Sequence, residues 1–505
     1  MSSLKIDTIA NFAGRGWTAL IAFLFIPIYI NLLGIESWGL IGFFVTLQII
    51  LRLLDLGLST TLNREIARLS AREGEARRQR DLVRTLETVY WSLAVLVGLL
   101  MLAAAPLIAR YWIKAQGISD ETVTTAVWMM GLIFTFQFPS ALYQGGLRGL
   151  QRHVLLSGIL AGTGTVRSAG AVAVLWWIAP TLQAFFAWQL FISILETLLI
   201  RSWLWRLLPS DSLRARFRTA SLLAVWRFAA GMNAIVVVTS LLMSLDKVLL
   251  SKLLTLEEYG YYMVGASVAG GFYILVAPFF LVAFPRFSQM VAAGGHQPTS
   301  RLYHLLCQTT TVVVLPVAVV VSVFSREALM IWTRNPVVVE NSYLFVSLLV
   351  IGTALNSPMN IPYAFQLANG WTKLAFYQAA ISLIFAVPAL VVSTRLYGGV
   401  GAAVLWATLN ASWLLITPHI MHRRLLITEK WQWYVQDVGK PLLGIVAVVA
   451  FVRAFVPLNT FGLLAQLLVL GATWALAVGG AICLTPSLRE VVFATVGSYR
   501  GEQNV

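Results

Sequence analysis

Long apolar stretches separated by short polar loops run through this chain from end to end. A helix rises about 1.5 Å per residue, so roughly 20 apolar residues cross the hydrocarbon core of a bilayer. Fourteen stretches are long enough: residues 9–33, 38–62, 85–109, 122–147, 154–178, 181–203, 222–250, 259–285, 304–325, 341–366, 375–394, 399–421, 441–458 and 462–484. The pattern predicts an all-α polytopic membrane protein with about 14 transmembrane helices and no separate soluble domain.

Composition and charge placement support this class and give an orientation. Of the 505 residues, 59% are hydrophobic and 11% are charged, and the mean hydropathy of +0.80 excludes an ordinary soluble protein. The net charge is +15, and 25 Lys and Arg residues lie at the termini or in alternate connections, against 7 at the opposite ends. Basic residues favour the cytoplasmic side, so both termini are predicted to be cytoplasmic. These loops also suit contact with anionic membrane lipids, and no nucleic-acid partner is predicted.

A weak internal repeat divides the chain. Residues 33–40, LGIESWGL, align with 254–261, LTLEEYGY. Further matches at offsets between 219 and 222 pair Arg64 with Arg286, Pro139 with Pro358, Tyr143 with Tyr363, and Gly149 with Gly370. An even number of helices separates the copies, which predicts two parallel six-helix bundles with the substrate path between them. We assign these bundles to 1–210 and 211–430, and an extra helix pair with a cytoplasmic tail to 431–505.

Four basic residues lie inside predicted helices: Arg15, Arg52, Arg167 and Lys247. A charge at membrane depth is costly unless it faces protein or water, so each is a candidate substrate-binding residue. Arg15 also suits snorkelling to the inner surface. Arg52 is predicted to lie roughly 16 Å before Asn63, the first clearly polar position, which is about half the hydrocarbon thickness.

Two carboxylates accompany these cations. Asp55 lies three residues after Arg52 and is predicted to share its helix face. It is a coupling or gating candidate, with an intrahelical ion pair that fixes helix packing as the equal alternative. Asp246 is the second such candidate; its neighbour Lys247 is predicted to point in another direction. Glu196 is predicted to snorkel.

Neutral polar residues also recur at apolar depths, and each is predicted to form an interhelical hydrogen bond. Together they are consistent with a hydrated cavity between the halves. They are Gln48, Gln137, Gln144, Asn233, Asn356, Asn360, Gln366 and Gln378. Because cations outnumber anions in this interior, the substrate is predicted to carry an anionic group, such as a diphosphate or an acidic sugar.

No catalytic or metal-binding motif accompanies these residues in the sequence. There is no phosphate-binding loop, nucleophile elbow, HExxH or CxxC motif, and the two cysteines lie in apolar surroundings. The chain is therefore predicted not to be an enzyme and to need no cofactor or metal. A glycan polymerase or ligase would need a long outer loop with catalytic residues, and the sequence has none.

Several segments resemble the oligosaccharide flippases. They are Asn11–Trp17, NFAGRGW; Pro27–Gly34, PIYINLLG; Trp38–Leu40; Asp55–Leu58, DLGL; Arg64–Ala67; Tyr143–Arg152; Asp246–Ser251, DKVLLS; and Glu258–Tyr261. These are the Wzx-like O-antigen and polysaccharide exporters of the multidrug/oligosaccharidyl-lipid/polysaccharide exporter superfamily. The resemblance covers about the first 420 residues, and many members have twelve helices.

The resemblance implies a function in the bacterial cytoplasmic (inner) membrane. It implies that an undecaprenyl-diphosphate-linked oligosaccharide moves from the inner to the outer leaflet by alternating access through a central cationic cavity. It also implies coupling to a proton or sodium gradient, and a polysaccharide polymerase as partner. A lipid II flippase, which also fits fourteen helices, and a multidrug/cation antiporter are the alternatives; the antiporter would need more acidic residues in the lumen.

Overall fold

The computed structural model describes residues 2–210, 214–220, 222–223, 234–294, 296–485 and 488–489. The described chain is almost entirely helical, without a strand in these ranges, and divides into two compact units, Met1–Gly260 and Tyr261–Val505. Helices that begin in the first unit are α1 (Ser2–Leu33), α2 (Ile35–Arg52), α3 (Leu58–Ser70), α4 (Ala76–Tyr111), α5 (Asp120–Gly149), α6 (His153–Trp177), α7 (Leu182–Leu207), α8 (Ala234–Leu253) and α9 (Leu256–Ala292).

The second unit continues with eight further described α-helices. They are α10 (His296–Val323), α11 (Ser325–Thr333), α12 (Pro336–Asn356), α13 (Asn360–Ala368), α14 (Lys373–Arg424), α15 (Lys430–Gln432), α16 (Lys440–Phe455) and α17 (Leu463–Cys483). A π-helix, Trp433–Gly439, joins α15 to α16.

Twelve segments in the described ranges are long and apolar enough to cross a membrane. The predicted all-α membrane protein is confirmed, while the count of fourteen spans stays a prediction. Two predicted spans, 375–394 and 399–421, lie in α14, which consists of two helices that meet at a kink where Gly398 is non-helical with φ of 59°. The predicted span 222–250 lies partly outside the described residues.

The second predicted span, 38–62, is wrong as one continuous helix. α2 ends at Arg52, a 3₁₀ turn covers Leu53–Asp55, and α3 begins at Leu58, after Leu56 and Gly57. Leu56 and Gly57 take left-handed backbone angles, with φ of 45° and 76°. Such residues end a helix and redirect the chain. Apolar residues flank this turn on both sides, so a hydropathy pattern does not reveal it.

The main core of the first unit lies among α3, α4, α5 and α7. Its fully buried side chains include Leu62, Ile66, Leu86, Leu142, Leu147 and Leu204. Glycine allows the closest approach in this core. A Cβ atom on Gly149 of α5 would lie 2.7 Å from the carbonyl oxygen of Asn63 in α3, so a larger residue would force the two helices apart.

Helix α10 is the packing centre of the second unit, with α12, α16 and α17 against it. Buried apolar residues of the C-terminal pair, including Ile445, Val449 and Ala477, join Leu315 and Phe324 in one cluster. The segment assigned from sequence to 431–505 therefore packs on α10 and α11 wherever it is described. The proposed boundaries at 210 and 430 stay predictions.

Candidate functional site

The turn between α2 and α3 separates the two charges that the sequence places on one helix face. Arg52 is the last residue of α2, about 25 Å along the helix from Ile35. Asp55 ends the 3₁₀ turn, and its side chain accepts hydrogen bonds from residues that follow it in the sequence. Its Oδ2 accepts from the Ser59 hydroxyl at 2.8 Å, and its Oδ1 accepts from the Ser59 N–H at 3.3 Å and from the Tyr90 hydroxyl. The Arg52–Asp55 ion pair is absent from the ion pairs of the described residues. The continuous-helix depth estimate for Arg52 is also wrong, because the helix ends there.

Arg52 carries a charge that the surrounding protein leaves available. Its side chain is exposed, and within the described part of the chain no residue forms a hydrogen bond or ion pair with it. Glu196 and Arg167 lie near enough to act on it electrostatically. A guanidinium has five N–H donors in a planar fork that matches a phosphate group, so this residue suits a bound anion.

Arg167, near the middle of α6, is instead held by α7. Its guanidinium donates to Glu196 Oε2 at 2.9 Å, Ser193 Oγ at 3.1 Å and Gln189 Oε1 at 3.2 Å. The side chains of Arg167 and Glu196 are 19% and 14% exposed, so the ion pair is largely shielded from water. The prediction that Glu196 snorkels is wrong, because this carboxylate turns to α6 and accepts from both Arg167 and Thr163.

The two arginines therefore differ in how much uncompensated positive charge they offer to a ligand. The charge of Arg167 is offset by Glu196, whereas Arg52 lacks a carboxylate within ion-pair distance among the described residues. We call Arg52, Arg167, Glu196, Gln189 and Ser193 the α2–α6–α7 polar cluster. It presents a net positive charge of one, centred on Arg52.

The other predicted charges lie elsewhere in the first unit. Lys247 and Asp246 of α8 form an ion pair, with Lys247 Nζ 3.1 Å and 3.2 Å from the two carboxylate oxygens. The prediction that these neighbours point apart is wrong, because the long lysine side chain folds back, and its Nζ also lies 3.3 Å from the Met243 carbonyl. Arg15 is outside the side chains that the structure describes.

Four of the predicted neutral polar residues take part in three hydrogen bonds that link helices. Gln48 of α2 donates to Gln137 of α5 at 2.5 Å. In the second unit, Asn356 of α12 donates to Asn410 of α14 at 2.9 Å, and Thr417 donates to Gln378 across the two halves of α14 at 2.6 Å. Gln144 differs, since it bonds within α5 to Ser140 and Arg148. Asn233 lies outside the described residues.

Sequence reasoning missed a buried carboxylate on α4. Glu87 is 2% exposed and accepts from Tyr143 Oη at 2.7 Å, Arg201 Nε at 2.6 Å and Arg84 Nη1 at 3.0 Å. The sequence interpretation treats Arg84 and Arg201 as topological charges of cytoplasmic loops. A glutamate in the first turns of an apolar helix gives no local sign of which distant arginine it will meet.

A second buried carboxylate, Asp81, holds the chain that follows α7. It accepts from the Arg216 N–H at 2.8 Å and from Arg218 Nε at 2.5 Å. The Arg218 N–H also donates to the Thr85 hydroxyl at 2.9 Å. These bonds attach Arg216 and Arg218, which lie outside regular secondary structure, to the start of α4.

Comparison with solved structures identifies the fold. The lipid II flippase MurJ in an inward closed conformation matches with a TM-score of 0.64 and 13% identity, over 94% of this chain and 97% of that chain. An inward-facing multidrug resistance MATE family transporter of the MOP superfamily matches with a TM-score of 0.59 and 13% identity, over 87% and 96% of the two chains. The fold is that of these multi-pass membrane transporters.

Sequence comparison then gives the family. Residues 4–291 match the family model described as "Polysaccharide biosynthesis protein". A Shigella flexneri protein named "Putative O-antigen transporter" is 21% identical over 408 residues, which cover 81% of this chain and 94% of that protein. The chain belongs to the polysaccharide biosynthesis protein family. The resemblance to oligosaccharide exporters of the MOP superfamily is confirmed.

Proposed function

We propose that this transporter is a flippase for an undecaprenyl-diphosphate-linked oligosaccharide, such as an O-antigen or another surface polysaccharide repeat unit. It moves this lipid from the inner to the outer leaflet of the bacterial cytoplasmic membrane by alternating access. The family match and the name of the Shigella flexneri relative support this substrate class. A polysaccharide polymerase, which would consume the flipped lipid, is the expected partner.

The observation that carries the proposal is the exposed guanidinium of Arg52 at the end of a membrane-spanning helix. A charge at the end of a membrane-spanning helix that the protein leaves unpaired needs a ligand or water to meet it. A diphosphate offers several anionic oxygens, and arginine binds such oxygens through paired, charge-assisted hydrogen bonds. The diphosphate of the lipid therefore satisfies the charge that the protein leaves open.

Arg167 has a supporting role in this proposal. Glu196 and the α7 residues fix its guanidinium in one position, so it adds oriented N–H donors beside Arg52 with little net charge. Lys247, which is paired with Asp246, is a weaker candidate for the anionic head. Asp55 and Asp246 remain the proposed coupling or gating carboxylates. In this proposal a proton or sodium gradient drives transport.

The test measures transbilayer movement of a native lipid-linked oligosaccharide in proteoliposomes, with and without an imposed proton or sodium gradient. Arg52→Ala is expected to abolish movement while thermal unfolding stays unchanged, and Arg52→Lys is expected to restore part of it. Arg206→Ala is the matched control, because Arg206 is also exposed, lies in the last turn of α7 and has no bonded partner among the described residues. Full movement by Arg52→Ala would contradict the proposed role of Arg52.

Lipid II is the second candidate substrate, favoured by one observation. The MurJ likeness extends over 94% of this chain. Both lipids would present a diphosphate to Arg52, so the two candidates differ in their sugars. Movement of lipid II but not of the oligosaccharide lipid would change the substrate assignment. Uptake of cationic dyes without movement of either lipid would favour an antiporter.

A further inference from the structure

A histidine between two carboxylates lies in the second unit. His304 of α10 is 6% exposed; its Nδ1 lies 2.5 Å from Asp437 Oδ2 and its Nε2 lies 3.1 Å from Glu429 Oε2. Asp437 is completely buried within the π-helix, and Glu429 immediately precedes α15 with a side chain that is 24% exposed. Within the described chain, Glu429 is therefore the member of this group that faces solvent most.

The hydrogen-bond pattern requires a proton that a neutral imidazole cannot supply. A neutral ring has one N–H and one lone pair, so only one of the two carboxylates could receive a hydrogen bond. The remaining carboxylate oxygens are already accepting, Asp437 Oδ1 from Gln308 at 2.8 Å and Glu429 Oε1 from Ser300 at 3.0 Å. With both carboxylates ionised, each ring nitrogen must donate, and His304 must be an imidazolium.

A nearby histidine provides the contrast. His422 of α14 places Nδ1 2.8 Å from the Pro418 carbonyl oxygen and Nε2 3.3 Å from the Tyr303 hydroxyl. The carbonyl needs a donor and the hydroxyl can donate, so a neutral ring satisfies both contacts. The other titratable groups around His304 are Tyr303 and Cys307 on α10 and Lys430 on α15, whose ammonium lies 2.7 Å from His419.

We propose that His304, Asp437 and Glu429 form a proton-binding site that fastens the C-terminal segment to α10. The bound proton sits on the imidazole and is shared with the two carboxylates. Both carboxylates belong to the stretch between α14 and α16, so each N–H···O bond joins that stretch to α10. π-Helices are uncommon and occur often at functional sites, and here the π-helix presents Asp437 to the ring.

Loss of the proton removes one of the two bonds. The Asp437 contact is shorter and fully buried, while the Glu429 contact is longer and partly exposed, so the Glu429 bond is the one to break. Glu429 would then turn to solvent at the predicted cytoplasmic side, beside Arg423, Arg424 and Lys430. This gives proton exchange a route and gives the fold a pH-dependent attachment. The site is independent of the proposed lipid substrate.

The first test is ¹⁵N NMR of histidine-labelled protein in lipid nanodiscs at pH 7. His304 is expected to show two protonated ring nitrogens, and His422 one; single His→Gln substitutions assign the signals. Glu429→Gln, a partly exposed change of equal size, is expected to convert His304 to the neutral form without altering His422. A neutral His304 in the wild-type chain would overturn the proposal.

The second test uses Cys307, a buried free thiol one helical turn from His304. In a Cys483→Ser background it is the only thiol, and its labelling by a neutral maleimide reports exposure of the α10 face. We expect the labelling rate to rise between pH 6 and pH 8.5 by more than that of the exposed Cys483, measured in a Cys307→Ser variant. His304→Gln should label rapidly at every pH. Equal pH dependence of the two thiols would contradict the fastening role.

Discussion

Gly39 and Gly260 pack reciprocally at the starts of α2 and α9. A Cβ atom on Gly39 would collide with the carbonyl oxygen of Leu256, and one on Gly260 would collide with that of Ile35. These four residues are equivalent in the sequence repeat, Gly39 with Gly260 and Ile35 with Leu256. The pattern of contacts is therefore that of two like turns packed face to face, all within Met1–Gly260.

We expect Gly39→Ala to destabilise the protein by about 1–3 kcal/mol, because overpacking shifts a rigid backbone rather than a flexible side chain. Gly260→Ala should cost a similar amount. Denaturant unfolding in detergent measures both. Gly270→Ala in α9 is the control, since a Cβ there meets nothing within 4 Å, and it should be neutral or slightly stabilising. Equal stability of the Gly39 and Gly270 variants would refute the close contact.

Removal of one partner of the Arg167–Glu196 pair should cost about 3 kcal/mol, because an uncompensated charge then remains in a largely buried site. The double change Arg167→Gln with Glu196→Gln should cost less than either single change. A double-mutant cycle on unfolding free energies gives the coupling directly. The exposed pair Arg326–Glu340, 3.1 Å apart, is the control and should couple by less than about 1 kcal/mol.

Asp55→Ala should weaken the start of α3 by about 1–2 kcal/mol, the usual cost of a lost helix cap. The buried Tyr90 hydroxyl would also lose its acceptor. Asp55→Asn keeps an acceptor oxygen and should recover most of the stability. If Asp55 also couples transport to a gradient, Asp55→Asn will fold normally yet respond to no imposed gradient. Gradient-driven movement equal to wild type would restrict Asp55 to the capping role.

Glu87→Ala should destabilise the first unit by about 3 kcal/mol or more, since it leaves Arg201 and Tyr143 without their shared acceptor in a buried site. Unfolding of the full chain is the measurement. Glu340→Ala removes an exposed ion pair with Arg326, whose side chains are 61% and 50% exposed, and should change stability by less than about 1 kcal/mol. Similar losses for the two variants would show that Glu87 is not a structural centre.

The sequence patterns predicted the charged residues of much of the candidate site, but not the residues that pair with them. Arg52 and Arg167 stand out because charges inside apolar runs are rare, and that rule needs no structure. The partner of Arg167 is 29 positions away on α7, and the break at Gly57 depends on backbone angles. Neither feature is visible in local hydropathy. His304, Asp437 and Glu429 were missed for the same reason, as more than 120 residues separate the histidine from its carboxylates.

The sequence by itself determined that this is an all-α membrane protein of the oligosaccharide exporter type. The length of an apolar stretch can be compared with the thickness of a bilayer from the local sequence alone. The diffuse motifs of the first 420 residues are enough to indicate the family. Only the tertiary structure decided which charges are neutralised and which stay available. Ion pairing depends on distances of a few ångströms between side chains that are far apart in the sequence. In the folded chain, Arg52 lacks a carboxylate partner among the described residues, Arg167 is paired with Glu196, and His304 lies between two carboxylates.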